Sequence, residues 1–318
     1  MKITYKKLLS RSTRHLYFDF LNFSRFFQQP SLLTTESTDK IREINTRRGV
    51  PVKILFIGDV SGKVGQKMVH DYLPQLRQVY KPQVIILNGE NAAGGRGITE
   101  KIYKEFLTQG VDCITMGNHT WDNYDLFNFI DEATHIIRPA NYENNDLVPG
   151  VGMRIIKINQ QKLAVINLTG RSYMGSFDDP FRVGDELITQ AKKETNQIFI
   201  DFHAETTSEK QAIGWYFDGK VSAVVGTHTH VQTNDARILP KGTAYQTDVG
   251  MTGFYNGILG MEKEAIIENF RTQMPTRFTT PENGPGQLNA CLVETHDKTG
   301  QAKKIQPIRI DEDTLFMD

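Results

Sequence analysis

The segment VSAVVGTHTH (residues 221–230) joins a short apolar run to an abrupt polar end. Its first half has the composition of a buried β-strand, and His228 and His230 follow directly. The chain contains eight histidines, so two of them beside one strand point to a shared task. Because alternate residues of an extended strand face the same side, the segment predicts two imidazoles that converge on one centre.

The same pattern of an apolar run with a polar tip recurs from residue 53 onward. Its members are KILFIGD (53–59), QVIILNGEN (83–91) and VDCITMGNH (111–119). These runs end about 30 residues apart, the size of a βαβ unit. Amphipathic helices are predicted between them over 65–80 and 99–110, the second with Thr99 as N-cap. Strands that are apolar throughout are typical of a sheet covered on both faces, so we expect an α/β fold.

The pattern continues less regularly toward the C-terminus. Further strands are predicted over 162–170, 197–205 and 243–250, followed by a hairpin that turns at Asp297–Gly300. Between them, residues 171–186 are polar, aromatic and interrupted by glycine and proline, which predicts a long surface loop that could act as a lid.

Composition limits the function classes. The 318 residues are 39% hydrophobic and 23% charged with zero net charge, which is typical of a globular protein and favours neither stable DNA binding nor membrane association. Both cysteines, Cys113 and Cys291, lie in apolar runs and are interpreted as buried thiols of a reducing compartment. With no bilayer-length apolar run and no signal peptide, we expect a cytoplasmic protein. The composition leaves open whether it forms a homo-oligomer.

The first 50 residues differ from the rest. Residues 1–50 carry ten lysines and arginines against four acidic residues, together with an aromatic cluster between Tyr17 and Phe27. They are interpreted as a basic, aromatic N-terminal extension, either a helix packed on the body or a tail. Contact with RNA or a membrane surface is the alternative. Residues 51–318 are predicted to form one catalytic domain.

Polar side chains at the strand tips carry the candidate chemistry. They are Asp59, Glu90, Asn91, Asn118, His119, Asp201, His203, His228 and His230. Singly, each has an ordinary structural explanation, such as a helix cap or a buried histidine. Together they suit a site beyond the carboxyl ends of strands. Oxygen and imidazole ligands fit iron, manganese, zinc or cobalt, and their number predicts two ions, as in phosphoester hydrolysis.

Other nucleotide and catalytic motifs are incomplete. Gly58–Lys63 is one residue short of a phosphate-binding P-loop and is followed by Val64 in place of Ser or Thr. Val60 also breaks the dinucleotide fingerprint, and the chain has no G-x-S-x-G nucleophile elbow. The glycine-rich stretch around Arg96 is either a tight turn or a loop that faces a phosphate or base.

These residues occur in the order of a known motif series. Asp59, Glu90, Gly117-Asn118-His119, His203 and Gly226–His230 resemble the D-x-H, GD, GNH, H and GH-x-H motifs of calcineurin-like metallophosphoesterases. Ser61 replaces the first histidine, and Glu90 replaces the usual bridging aspartate. With GENAAGG, TMGNHTWD and VVGTHTHVQT, these departures make the chain similar to the bacterial YmdB-like branch from about residue 52 onward.

The resemblance implies a fold that the strand pattern alone leaves open: a two-sheet β-sandwich flanked by helices, rather than one open sheet. It also implies a 2′,3′-cyclic nucleotide phosphodiesterase with a dinuclear centre that often contains iron. Glu90 would bridge both ions. Asp59, His230 and Asn91 would complete one site, Asn118, His203 and His228 would complete the other, and His119 would be the catalytic histidine.

The expected reaction is attack on phosphorus by a hydroxide that bridges the two ions. His119 would donate a proton to the leaving group or stabilise charge on the phosphate, and Arg96 or Arg171 would bind the charged phosphate. The substrate would be a small nucleotide or an RNA end. Two alternatives remain: a phosphomonoesterase or nuclease acting on RNA ends, and a nucleotide- or RNA-binding regulator with residual metal sites.

Overall fold

The computed structural model describes residues 51–314 and residue 316. The N-terminal extension, residues 1–50, lies outside the described residues, so its interpretation and the domain boundary stay predictions. In chain order the described strands are β1 (Val52–Ile57), β2 (Val84–Asn88), β3 (Cys113–Thr115), β4 (Ile136–Ile137), β5 (Met153–Ile158), β6 (Gln161–Thr169), β7 (Ile198–His203), β8 (Ala223–Thr227), β9 (Arg237–Ile238), β10 (Ala244–Gln246), β11 (Gly253–Phe254), β12 (Gly286–Thr295) and β13 (Ala302–Ile310).

Helices alternate with many of these strands. The α-helices of the described residues are α1 (Gly62–Tyr80), α2 (Glu100–Thr108), α3 (Pro180–Ala191), α4 (Thr207–Tyr216) and α5 (Lys263–Thr272). Apolar side chains such as Val69, Leu73 and Leu76 form the buried face of α1. The predicted cap of α2 is confirmed, because the Thr99 hydroxyl accepts a hydrogen bond from Ile102 N at 3.3 Å.

The strands form two separate mixed sheets. In the first, β1, β2, β3 and β4 are parallel neighbours, β12 pairs antiparallel with β1, and both β11 and β13 pair with β12. Strand β1 therefore lies inside the sheet, between β2 and β12. The second sheet has the order β5-β6-β7-β8-β10-β9, with four parallel central strands and antiparallel edges.

The two sheets pack face to face, with helices on their outer faces. Between them lies an apolar layer in which the Phe56 and Phe199 rings are 5.3 Å apart. Helices α1 and α2 cover the first sheet, and α3 and α4 cover the second. This confirms the two-sheet sandwich flanked by helices. Continuous apolar strands are explained by the arrangement, since each sheet is covered on both faces.

One predicted segment is different in the structure. The expected loop over 171–186 ends early, because α3 begins at Pro180. Asp179 caps this helix by accepting a hydrogen bond from Phe181 N, and proline at the first helical position is compatible with its fixed φ. Only 171–179 remain irregular.

Both cysteines are buried and free, as predicted. Burial raises the pKa of the Cys113 thiol to about 12, so it is an unreactive core group. Among the helices in the described part of the chain, none combines the length and apolarity required to span a bilayer.

Candidate metal centre

The predicted ligands lie at one edge of the sandwich. This edge is formed by the carboxyl ends of β1, β2 and β3 from the first sheet and of β7 and β8 from the second. Five turns or strand ends there supply the predicted side chains. They are Asp59, Glu90, Asn91, Asn118, His203, His228 and His230. The two sheets thus contribute to a single site, although the residues are far apart in sequence.

Three of these side chains form a compact cluster around His203. Ligand atoms of Glu90, His203 and His228 all lie within 4.8 Å of one another. His203 Nε2 is 3.1 Å from Glu90 Oε1, 3.1 Å from His228 Nδ1 and 2.9 Å from Asn118 Oδ1. Carboxylate, amide and imidazole atoms that face one another in this way are suited to share a cation.

A second group adjoins the same carboxylate. Asn91 Nδ2 lies 3.1 Å from Glu90 Oε1 and 3.2 Å from His230 Nε2. Rotating the Asn91 amide by half a turn would present its oxygen, rather than its nitrogen, to these two atoms. Glu90 is therefore in contact with both groups of predicted ligands.

Asp59 supplies the clearest test of whether a metal fits. The residue is completely buried, and its Oδ2 accepts a hydrogen bond from His228 N at 3.1 Å. Its Oδ1 has no hydrogen-bond partner within the described residues. A buried carboxylate oxygen without a partner is costly unless a cation neutralises it. The donor set and this unpaired oxygen together fit a metal centre.

Hydrogen bonds determine which nitrogen each histidine presents. Thr227 Oγ1 donates to Asp201 Oδ1 at 2.7 Å, so it accepts from His203 Nδ1 at 2.9 Å. The second nitrogen of His228 meets Glu205 Oε2 at 3.0 Å, and that of His230 meets the Leu259 carbonyl at 3.1 Å. Acceptors of this kind hold His203 Nε2, His228 Nδ1 and His230 Nε2 toward the cluster.

The His-Thr-His turn corrects one prediction from the sequence. Strand β8 ends at Thr227, so strand alternation is the wrong reason for the approach of the two histidines. His228 has a φ of 96° and His230 a φ of 65°. Left-handed backbone costs a non-glycine residue about 1–2 kcal/mol. The imidazoles are therefore positioned by a strained turn beyond the strand.

Burial and close charges shift the pKa values of the cluster. Burial raises the pKa of Glu90, but the adjacent His203 outweighs this and lowers it to about 2. Burial lowers the pKa of His203, but Glu90 and Asp59 outweigh this and raise it to about 9. Burial, and then the charge of His203, lower the pKa of His228 to about 3. Burial also raises the pKa of Asp59 well above its usual range. Without a cation, a proton on His203 thus compensates the carboxylate of Glu90.

Beneath the cluster, Asp201 joins the two sheets. The sequence places it among the strand-tip candidates, but its carboxylate accepts hydrogen bonds from Asn88 Nδ2 at 3.0 Å, from Thr115 Oγ1 and from Thr227 Oγ1. We call Asn88, Thr115, Asp201 and Thr227 the polar junction. Because Thr227 also bonds His203, the junction supports the ring of that histidine.

Gly117 leaves the space that the cluster occupies. A Cβ at this position would overlap Glu90 Oε2 and His203 Nε2. Only glycine therefore allows the chain after β3 to approach the predicted ligands this closely.

His119 lies beside the cluster and is partly exposed. Its backbone N donates to Glu90 Oε2 at 2.9 Å, while its ring Nδ1 is 2.8 Å from Asp122 Oδ2. Arg96 is exposed, and its Nη1 is 3.7 Å from the same Asp122 oxygen. Arg171 lies in the loop after β6, and its side chain is exposed. Its backbone N donates a hydrogen bond to Glu209 Oε1 at 2.9 Å.

Sequence reasoning missed the side chains that orient the histidines. Glu205 and Asp122 bond His228 and His119, and Thr227 bonds His203. A signal was present for two of them, since Glu205 follows His203 by two residues and Asp122 follows His119 by three. Carboxylates are the usual partners of metal-binding histidines, and this rule could have identified both.

The sandwich, with its cluster at the carboxyl edge of both sheets, defines the class: the chain has a metallophosphoesterase-type fold. More narrowly, it belongs to the YmdB-like protein family, whose sequence pattern matches residues 55–308. The predicted family is thereby confirmed.

Similar proteins come from several bacteria. A Bacillus subtilis (strain 168) protein named 2′,3′-cyclic-nucleotide 2′-phosphodiesterase is 55% identical over 267 residues, covering 84% of this chain and 100% of that protein. The crystal structure of a hypothetical protein from Thermus thermophilus has a TM-score of 0.76 and 38% identity, covering 82% of this chain and 100% of that one. The crystal structure of a novel phosphatase from Mycoplasma pneumoniae has a TM-score of 0.78 and 36% identity, covering 82% and 94%.

Proposed function

We propose that this protein is a metal-dependent phosphodiesterase that hydrolyses 2′,3′-cyclic nucleotides with two metal ions. The observation that carries the proposal is the contact of one buried carboxylate, Glu90, with two groups of nitrogen and oxygen ligands. A shared carboxylate between two such groups is suited to two neighbouring ions, an arrangement used for phosphoester hydrolysis.

The prediction that the protein is a phosphoric diester hydrolase is confirmed by its 55% identity to the Bacillus subtilis 2′,3′-cyclic-nucleotide 2′-phosphodiesterase. The name of that relative specifies the 2′ ester. We propose that the same bond is broken here, which leaves a nucleoside 3′-phosphate.

The residues proposed to hold the ions follow from the family motifs, and the contacts of Glu90 with His203 and Asn91 support the assignment. Asn118, His203 and His228 would hold one ion, Asp59, Asn91 and His230 would hold the other, and Glu90 would contact both. Iron is our first candidate, with manganese, zinc or cobalt as alternatives. When bound, such ions supply Lewis acidity that draws charge from the phosphate and makes water more acidic.

His119 is proposed to move the proton. Its Nδ1 faces Asp122, which keeps Nε2 available for exchange with the departing ribose oxygen. The bond from its backbone N to Glu90 keeps this ring next to the predicted ligands. Replacing His119 with Ala should lower kcat about 10²- to 10⁴-fold without releasing metal; full turnover in that variant would exclude the role.

Two exposed arginines are proposed to attract the cyclic phosphate. Arg96 lies beside Asp122 and so near the catalytic histidine. Arg171 follows β6, whose end is bonded through Gly170 N to the His203 carbonyl. Both would contribute charge to substrate binding, so their replacement by Gln should raise KM more than it lowers kcat.

The decisive experiment compares the wild type with Glu90→Gln after anaerobic purification. Metal per chain would be counted by mass spectrometry, and 2′,3′-cyclic AMP hydrolysis followed by separation of 2′- and 3′-AMP. We expect about two ions and 3′-AMP from the wild type, and loss of turnover in the variant. A wild type without bound metal and without turnover, even after addition of iron or manganese, would refute the proposal.

A phosphomonoesterase is the second candidate, because one solved relative is described as a phosphatase. Turnover of 3′-AMP, 2′,3′-cyclic AMP and an oligoribonucleotide under identical conditions separates the two candidates. Faster release of phosphate from 3′-AMP than opening of the cyclic ester would favour the phosphomonoesterase.

A further inference from the structure

A buried ion pair lies directly behind the His-Thr-His turn. Lys210 on α4 and Asp248, which follows β10, are 1% and 0% exposed in their side chains. Lys210 Nζ donates to Asp248 Oδ2 at 2.6 Å. Neither residue belongs to the predicted ligands or to the proton-transfer pair.

Thr229, the residue between the two histidines, completes this group. Its backbone N and its Oγ1 both donate to Asp248 Oδ2, at 3.1 and 2.7 Å. Lys210 Nζ also donates to Thr229 Oγ1 at 3.1 Å. Each of the three residues therefore contacts the other two, and we call them the clamp.

The clamp is itself held by the chain on the far side of the turn. Asp248 Oδ1 accepts from Gly250 N at 2.7 Å, and the Asp248 backbone N donates to Thr233 Oγ1 at 2.9 Å. Met251 N donates to the His230 carbonyl at 3.2 Å. These bonds hold the Asp248 carboxylate in place independently of its contact with Thr229.

The turn requires such support because both histidines have positive φ values, 96° at His228 and 65° at His230. Strained backbone of this kind persists only where surrounding contacts over-determine it. At Gly226, just before the turn, a Cβ would overlap the Thr247 carbonyl and lie 3.0 Å from Lys210 Cδ. The chain that leads into the turn therefore packs closely against Lys210 of the clamp.

We propose that Lys210, Asp248 and Thr229 are positioning residues that set His228 and His230 in their ligand geometry before any cation binds. This inference rests on the proposed metal centre. Buried ion pairs add little net stability compared with apolar side chains of similar volume. The distinctive contribution expected of this pair is consequently the geometry of the turn.

The test uses metal-free protein titrated with Mn²⁺, with free Mn²⁺ followed by electron paramagnetic resonance. Thr229→Val keeps the shape of the side chain but removes its hydroxyl, whereas Thr229→Ser keeps the hydroxyl. Residues that orient metal ligands typically contribute about 10- to 100-fold to metal affinity. We expect a loss of this size in Thr229→Val and affinity close to wild type in Thr229→Ser.

A second pair of variants separates geometry from stability. Lys210→Met/Asp248→Asn removes the charges of the clamp together, and Lys220→Met removes one partner of the half-buried Lys220–Asp185 pair, which measures 2.7 Å. The double variant should lose Mn²⁺ affinity about 10- to 100-fold, and Lys220→Met should not. If the double variant does not fold by circular dichroism, Thr229→Val alone decides.

Unchanged Mn²⁺ affinity in folded Thr229→Val, or an equal loss in Thr229→Ser, would refute the proposed positioning role of the clamp. Because the readout is binding, it is independent of turnover. A wild type that binds Mn²⁺ but does not hydrolyse 2′,3′-cyclic AMP would refute the proposed substrate. It would leave the positioning role of the clamp unaffected.

Discussion

The two sheets meet through two unlike regions along the same strands. In the middle of the strands, apolar side chains such as Phe56 and Phe199 fill the space between the sheets. At the carboxyl ends, the contact is made by the polar junction, where Asn88 from one sheet bonds Asp201 from the other. A few residues along each strand separate the apolar interface from the polar one.

This difference assigns the two regions different tasks. Apolar burial stabilises the sandwich without directional requirements, whereas each buried polar atom of the junction needs a partner to offset its lost hydration. The polar end is thus expensive to fold and is explained by what it supports, the ring of His203. Mutations in the two regions should consequently affect different measurements.

The largest effect on stability is expected in the apolar region. Phe199→Ala should lower the free energy of unfolding by about 3–5 kcal/mol, because it leaves a cavity opposite Phe56. Urea denaturation of metal-free protein would measure it. The folded fraction should still bind Mn²⁺ with wild-type affinity, and a loss of affinity larger than the loss of folded protein would break the separation between the regions.

The matching change at the polar end should remove function at a smaller cost in stability, about 1–3 kcal/mol, because the added methyl group overlaps buried atoms. Gly117→Ala places a methyl group among the predicted ligands, and displacements of about 1 Å in a catalytic site cost about 10²-fold in rate. Cyclic nucleotide turnover should fall by at least this factor. Gly94→Ala is a control for backbone strain without a clash, since a Cβ there meets no atom within 4 Å but φ is +64°, which should cost about 1–2 kcal/mol of stability. Equal effects of the two variants would contradict the prediction.

A pH titration of Mn²⁺ binding tests the polar end of the strands without any mutation. The pKa of His203 is raised to about 9 in the metal-free protein, so a cation must displace its proton below that pH. Mn²⁺ affinity should rise about tenfold per pH unit up to about 9 and level off above it.

The same shift has the opposite effect on the stability of the metal-free protein. Because the folded pKa lies above its usual value of 6.5, the stabilisation from His203 is fully present below pH 6.5 and is lost as pH rises through about 9. Urea denaturation across this range would measure the decline. A pH-independent Mn²⁺ affinity would show that His203 carries no competing proton.

The smallest effect is expected outside both regions. Thr99→Ala removes the cap of α2 and should cost about 1 kcal/mol of unfolding free energy, with turnover unchanged. Thr99→Ser is the matched control and should retain most of the stability. Loss of turnover in Thr99→Ala would show that the outer helix layer contributes to the site.

Sequence patterns predicted the strands and the polar side chains at their ends better than the arrangement of the sheets. Runs such as 53–59 and 83–91 identified β1 and β2, and Asp59 and Glu90 at their ends contact His228 and His203. Continuous apolar strands, however, are equally suited to one sheet between helices and to two stacked sheets. The resemblance to a family, rather than periodicity, distinguished these arrangements.

The local errors have physical causes. The helix start at Asp179-Pro180 was overlooked because glycine and aromatic residues around it resembled a loop. The turn at His228 was assigned to strand alternation because its left-handed backbone depends on contacts with Lys210 and Asp248, which are distant in sequence. The spacing of Glu205 marks it as a histidine partner, but only the folded chain shows that it bonds His228 rather than its sequence neighbour His203.

The position of β1 has a consequence for the order of folding during synthesis. Val52 and Thr295, which face each other in β1 and β12, are 243 residues apart. While the chain is being made, β1 and β2 can pair early, but one edge of β1 keeps unpaired backbone groups until β12 emerges. The second sheet, formed by residues 153–246, can be complete by then. The nascent protein therefore has a complete second sheet and a first sheet with an unpaired edge at β1. This edge is where a chaperone or an incorrect strand would bind.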